Sequence, residues 1–324
     1  MSAIILANGE IRDEIIMAGA AMLRAGTPAP DVAEYIAREV EDDPNEFSVG
    51  TAGMPNILGE VELDAAFMEG GTRRVGAVAA VKGYRHPISI ARQVMERLPH
   101  VFLAGDGAMR FAEEIKAERA NLLTDESLAM WRERINRAAP GVGSVETLPD
   151  LIGFTRKVIS MHTDTLKKEE TGHDTMNVMV RDEHGHIFVA VTTSGIAWKY
   201  PGRVGDSPVA GAGFYADDRY GAGACMGLGE WTIRHGTTLR AILAMAAGQS
   251  MAQAGAEVLQ DMHKLASDSD AGVFFQEGNL PWVRLLLMDA QGNCGGFSTK
   301  AGLTYKVQRA NEDKPKQFES VLVI

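Results

Sequence analysis

The run KKEETGHDTMNVMVRD, residues 167–182, places His173, Asp174 and Thr175 where a polar stretch gives way to an apolar one. From there Met176, Val178 and Val180 alternate with Asn177 and Met179, the period of a partly or wholly buried strand. Thr175 therefore sits where a loop enters a sheet. A lone threonine in that place is ordinarily just a good strand former. The chemical alternative is a nucleophile, and a threonine hydroxyl needs a base to take its proton. One solution is the residue's own α-amino group. With a pKa of about 7.7–8, such an amine is usefully unprotonated near neutral pH. An interior threonine has no free amine, so this chemistry requires a break between Asp174 and Thr175. The direct route is attack of Thr175 Oγ on the Asp174 carbonyl carbon, followed by hydrolysis of the resulting ester. The segments TTSG (192–195) and PGRVGDSP (201–208) follow in the same half of the chain.

Other groupings carry less. Gly221, Gly223, Gly227 and Gly229 have neither the G-x-G-x-x-G spacing nor the lysine and hydroxyl of a phosphate loop. His184 and His186 form H-x-H inside a turn-like run, with no second cluster at ligand spacing, which reads as a solvated turn. Asp42, Asp43 and Glu46 lie at a helix end, where carboxylates are usually just solvated. No G-x-S-x-G elbow is present. Neither a metal nor a cofactor is called for.

The elements that must position Thr175 are legible from periodicity. Residues 10–42 read as helices split at GTPAP, and VELDAAFM and RRVGAVAAV as paired strands. PISIARQVMERL reads as a helix that starts at proline, and DESLAMWRERI as another. The charged stretch from about 115 to 172 reads as an exposed connector. MNVMV and HIFVAVTT flank RDEHGH, a hairpin turn by composition. TTLRAILAMAAGQSMAQAGAEVLQDM reads as one long helix, and WVRLLLMD, GNCGGFST, LTYKVQ and VLVI as strands. Helices and hairpins alternate in blocks, without the strand–helix–strand rhythm of a doubly wound fold, so antiparallel sheets covered by helices are expected.

The 324 residues carry a formal charge of -11 and are 45% hydrophobic, enough for a substantial core. No basic run stands out, which argues against nucleic acid as a partner. The start lacks a basic n-region, its apolar run is short for a signal peptide, and no stretch approaches a membrane span, so a cytoplasmic protein without a membrane partner is expected. Cys225 and Cys294 are the only cysteines, too few for a disulfide framework.

GHDT, TTSG, GRVGDSP, GAGFYADD and GLGE stand in the order found in glycosylasparaginases, members of the N-terminal nucleophile asparaginase family, which the chain resembles. EDDPNEFSVGTAGMPN, VELDAAFM, GAVAAV, HPISIARQVMERLPHVFLAGDGA and NLLTDES extend the resemblance over nearly the whole chain. It implies an α+β fold, a four-layer α/β/β/α sandwich with two antiparallel sheets, forming one domain over 1–324. It implies self-cleavage into chains 1–174 and 175–324 that stay together, and a homo-oligomer of the processed units. Thr175 would attack the side-chain amide of an asparagine-derived substrate to give a β-aspartyl ester that water hydrolyses. Thr193 would orient Thr175. Arg203 and Asp206 would read the substrate's α-carboxylate and α-ammonium, a fit that guanidinium and carboxylate chemistry supports. Ser207 and Pro208 would shape the turn. His173 and Asp174 would act in self-cleavage, and the Gly227 N–H would face the oxyanion.

Two positions depart from the family pattern. Met226 stands where a threonine hydroxyl usually supplies a second oxyanion donor, and a thioether cannot donate. The N-terminal segment ILANGEIRDEI lacks the tryptophan that commonly lines the substrate site; Trp198 either compensates for it or is a packed core indole. An isoaspartyl peptidase or L-asparaginase of the same family, and a catalytically impaired homologue that binds aspartyl ligands, are the alternatives to a glycosylasparaginase.

Overall fold

The computed structural model describes residues 2–142, 144–165, 175–268 and 282–324. The N-terminal half contributes β1 (Ile4–Asn8), α1 (Asp13–Arg24), α2 (Ala29–Glu41), β2 (Leu63–Glu69), β3 (Val75–Val81), α3 (Pro87–Arg97), β4 (Phe102–Ala104) and α4 (Gly105–Glu114). Two further helices follow, α5 (Asp125–Ala138) and α6 (Leu151–Thr165). After Thr175 come β5 (Met176–Arg181), β6 (Ile187–Thr193), β7 (Phe214–Asp217) and β8 (Gly221–Gly227), then α7 (Gly229–His235), α8 (Thr237–Ala246) and α9 (Met251–Asp268). The strands β9 (Val283–Asp289), β10 (Cys294–Ser298), β11 (Thr304–Arg309), β12 (Lys316–Glu319) and β13 (Val321–Leu322) complete the order.

The strands form an eight-stranded sheet, β12-β11-β1-β5-β6-β2-β3-β4, and a five-stranded sheet, β13-β10-β9-β8-β7. Both are antiparallel inside. The pairs β3–β4 and β10–β13, at the sheet edges, run parallel, so the sheets are mixed where wholly antiparallel ones were expected. Strand alternation explains the layers. Ile5, Ala7, Phe67, Val178 and Val180 turn outward against α1 to α4, while Ile4, Leu6, Met179, Val189 and Val191 turn inward to meet Phe214, Ala224, Leu286 and Met288 of the second sheet. Leu285, Leu287 and Phe297 on the far side of the second sheet pack under α8 and α9. Helix, sheet, sheet and helix therefore stack as four layers.

Two readings of the sequence need correction. The stretch from 115 to 172 is not an exposed connector over its described residues. It holds α5, capped by Thr124 and Ser127, and α6, and their apolar faces bury Met54, Ile57 and Trp198 in a separate cluster. The helix expected from DESLAMWRERI is α5, while the charged run that holds α6 looked like loop composition. The supposed long helix is α8 and α9, broken at Gly248, whose φ of +94° no right-handed helix accommodates. Trp198 is 6% exposed, stacked under Arg134, and belongs to the cluster with α5 and α6. No helix among the described residues is long and apolar enough to cross a membrane.

Candidate active site

At one end of the two sheets the last residue of β1, the residue before β5, the last of β6 and the last two of β8 come together. Thr175 is 8% exposed and leads into β5. The β5–β6 register, with Met176 opposite Thr192, carries Thr175 alongside Thr193. Asn8 fastens this entry: its Nδ2 donates to the Thr175 carbonyl at 2.9 Å and its Oδ1 accepts from the Asn177 N–H at 2.8 Å. Asn177 in turn donates to the Cys225 carbonyl of β8 at 3.0 Å, tying the two sheets together beneath Thr175. Asn8 was not singled out in the sequence, because its value lies in a strand pairing between residues 167 positions apart.

Thr175 Oγ1 stands 3.4 Å from Ser207 Oγ. Ser207, which the sequence suggested only shapes a turn, thus puts its hydroxyl against Thr175. The Thr193 hydroxyl accepts from the Gly195 N–H at 2.9 Å and lies 3.4 Å from the Ser48 carbonyl. Asp206, adjacent to Ser207, is 4% exposed and accepts from Thr232 Oγ1 at 2.7 Å. Burial pushes its pKa up to about 6 despite that bond and the positive charge of Arg203. Close approach sets the residues around it: a Cβ on Gly229 would lie 2.7 Å from both the backbone nitrogen and Oδ1 of Asp206.

Arg203 is held by Glu230, its Nε and Nη2 donating to the two carboxylate oxygens at 2.8 and 2.7 Å. Burial disfavours its charge, yet Glu230 outweighs that and keeps the pKa raised. Behind the loop lie Asp64, fully buried with its acidity weakened by burial, and Lys199, its ammonium also disfavoured by burial. Lys199 Nζ donates to the Glu62 carbonyl at 3.1 Å, and the Glu62 carboxylate accepts from the Gly202 N–H at 3.1 Å. Asp64, Lys199, Glu62 and Glu230 were missed in the sequence. VELDAAFM contained Glu62 and Asp64 and GLGE contained Glu230, but nothing local marks a charge as buried.

Gly227 adopts φ +114°, and a Cβ there would meet the Trp282 carbonyl oxygen at 2.2 Å. Only glycine fits. Met226 is 1% exposed, with its Sδ near Asn8 and Arg284. His173 and Asp174 lie outside the described residues. The structure thus brings together Thr175, Thr193, Met226 and Gly227, with Asp206 and Arg203 beyond Ser207.

The remaining groupings hold no second site among the described residues, although Asp43 and Glu46, expected to be solvated, line a cleft at Thr175. His184 is exposed in the β5–β6 turn, and His186 pairs with Asp218 at 2.9 Å. Asp42 binds Arg85 and His86, and Asp43 binds Arg12. Gly221 and Gly223 are strand residues of β8 packed on β9. Among the described residues no cluster of histidine, cysteine or carboxylates is arranged to hold a metal.

A cleft of about 30 Å³ opens on Thr175, with Ser207 outside its lining. Its lining includes Asn8, Glu10, Arg12, Asp43, Glu46 and Ser48. Burial, with Asp43 and Glu10 nearby, raises the Glu46 pKa although Ser48 donates to it.

The profile of the family described as Asparaginase matches residues 8–282. The N(4)-(beta-N-acetylglucosaminyl)-L-asparaginase of Elizabethkingia miricola is 33% identical over 286 residues, covering 88% of this chain and 75% of its own. The plant-type L-asparaginase of Pyrococcus horikoshii is 32% identical over 304 residues, covering 94% of this chain and 90% of its own. The N(4)-(beta-N-acetylglucosaminyl)-L-asparaginase of Mus musculus is 34% identical over 254 residues, covering 75% and 72%. The span of the family match and these identities, on a helix–sheet–sheet–helix sandwich that gathers Thr175, Thr193, Met226 and Gly227 at one end, show that the chain belongs to the asparaginase family.

Proposed function

We propose that this amidohydrolase is an autoprocessed enzyme with Thr175 as N-terminal nucleophile, cleaving the side-chain amide of an N4-substituted L-asparagine. The precursor is one domain over 1–324 that cleaves itself with the help of His173 and Asp174. Thr175 Oγ attacks the Asp174 carbonyl carbon, the C–N bond breaks and leaves an ester with a free α-amine, and water hydrolyses the ester. In turnover the amine takes the Oγ proton while Oγ attacks the substrate's side-chain carbonyl carbon. The proton passes to the departing nitrogen, and the β-aspartyl ester that remains is hydrolysed to aspartate. Arg203 and Asp206 hold the α-carboxylate and α-ammonium, Thr193 orients the nucleophile, and the Gly227 N–H faces the oxyanion.

The observation that carries this reading is the position of Thr175. It is buried at the mouth of β5, clamped through its carbonyl by Asn8, in the lining of an open cleft and with its hydroxyl against Ser207, next to Asp206. The aspartyl part would then lie toward Asp206 and the leaving group in the cleft. Thr175→Ala should leave one uncleaved chain by intact mass and release no aspartate from any β-aspartyl amide. Either activity surviving that change would sink the reading.

The cleft favours a second reading. At about 30 Å³ it has room for one or two waters, which suits ammonia without rearrangement, as in an L-asparaginase. Rates on glycosylasparagine, asparagine and β-aspartyl dipeptides separate these leaving groups. A protein that aspartate stabilises against heat but that hydrolyses none of them is a ligand-binding homologue.

A further inference from the structure

Arg284 touches both segments in which this sequence departs from the family pattern. Arg284 of β9 lies directly across the ladder from Met226 of β8 and is 1% exposed. Its Nη1 and Nη2 donate to the two oxygens of Glu10 at 3.0 and 2.8 Å, and Nη1 also donates to the Thr304 carbonyl. Glu10 belongs to the N-terminal segment that lacks the usual tryptophan, and it lines the cleft beside Thr175. Nη2 further lies 2.8 Å from Met226 Sδ, in the position where a hydroxyl is missing. The same sulfur lies 3.6 Å from Asn8 Nδ2, the group that donates to the Thr175 carbonyl.

A guanidinium does not deprotonate in a protein, and burying one is unfavourable by several kcal/mol unless it is paired and hydrogen-bonded. This one is incompletely satisfied. Nε has no acceptor among the described residues, and part of Nη2's donor capacity goes to a thioether, a weak acceptor. A structural tether between Glu10 and β9 would gain nothing from turning a donor toward Met226. A guanidinium held in place, here by its pairing with Glu10, can stabilise negative charge that develops near it without reorganising when the reaction occurs.

We propose that Arg284 is a positioning residue that replaces the absent hydroxyl at position 226, supplying positive potential to the oxyanion through the polarisable Met226 sulfur while Glu10 holds it in place. The proposal rests on the amidohydrolase reading above. It also accounts for Glu10 and Met226 together, since Glu10 pairs with Arg284 and the Met226 sulfur lies against both Arg284 and Asn8.

The test is steady-state kinetics on a β-aspartyl anilide with the processed enzyme, its R284M and R284K variants, and each combined with M226T. Methionine keeps the apolar bulk and removes the charge; lysine keeps the charge at a shorter reach. R284M should lower kcat by about 10²-fold, the effect of losing one oxyanion donor, with KM changed by less than about threefold. Adding M226T should restore at least about tenfold in kcat, because the hydroxyl returns. R284K should fall between, and M226T should improve it as well. If R284M does not fold, the lysine pair alone decides. A single variant that turns over like the parent, or a loss that M226T does not relieve, overturns the proposal, the latter marking Arg284 as a tether. A parent inert toward every β-aspartyl amide overturns the amidohydrolase reading and the proposal with it; an active parent with an unaffected R284M overturns the proposal alone.

Discussion

Asp206 is the residue whose surroundings make the sharpest demand on solution behaviour. Burial raises its folded-state pKa to about 6, above the usual 3.8, so the folded chain holds this proton more tightly than the unfolded one. The ionised carboxylate therefore opposes folding. Its contribution falls as pH rises from about 4 to 6, and by pH 7 the penalty is about 3 kcal/mol. Asp206→Asn keeps an oxygen for Thr232 and should raise the denaturation midpoint at pH 7 while leaving it nearly unchanged at pH 4. The same change should weaken substrate binding, since the proposed ammonium partner is lost. In the processed parent, kcat/KM should fall with slope one as pH drops below the α-amine's pKa of about 7.7, and steepen to slope two below about 6. Asp206→Asn should remove the second step and keep the first. A profile that steepens at 6 in both proteins would exclude Asp206 as the group responsible.

At the scale of elements, the site depends on strand ends that approach more closely than side chains permit. β8 closes against β9 at Gly227, where the left-handed backbone and the nearby Trp282 carbonyl together exclude a Cβ. Gly227→Ala should lower stability by at least about 2 kcal/mol in denaturant titration and abolish turnover. A stable Gly227→Ala protein would show that the end of β8 yields, and with it the proposed oxyanion donor. The hairpin of β5 and β6 was legible from MNVMV, RDEHGH and HIFVAVTT because its registry is local. β1 was not, although IILAN is wholly buried: five apolar and polar residues near a chain start carry no periodic signal, and only its pairing with β11 and β5 makes it a strand. Gly248 shows the reverse case, a break invisible to an apolar pattern that runs on through it.

For the whole molecule, the order of the large sheet bears on what self-cleavage would do. β1 is inserted between β11 and β5, and β2 pairs with β6, so strands from before residue 174 and from after it interleave in the sheet. Breaking the bond before Thr175 removes no ladder. The two chains should co-elute in gel filtration under native conditions, at the size of at least one αβ unit, and separate only when unfolded. Dissociation on cleavage alone would contradict this topology. The end of the cut at Thr175 remains anchored for the same reason, since Asn8 and Thr175 belong to opposite chains and stay bonded through the sheet.

By itself the sequence determined the family, the four-layer class and the short run in which Thr175 begins a strand, because these rest on ordered motifs and on periodicities two or four residues long. It also marked Thr193, Arg203, Asp206, Gly227 and the anomaly at Met226. Only the tertiary structure decided what surrounds them. That Asn8 clamps Thr175, that Ser207 faces it, that Glu230 holds Arg203, and that Arg284 joins Glu10 to Met226 are contacts between residues from 27 to 274 positions apart. Burial, and with it the altered acidity of Asp206, Asp64 and Lys199, is likewise a property of packed layers. A residue's type carries its chemistry, but its desolvation and its partners are set by which strands the fold places side by side.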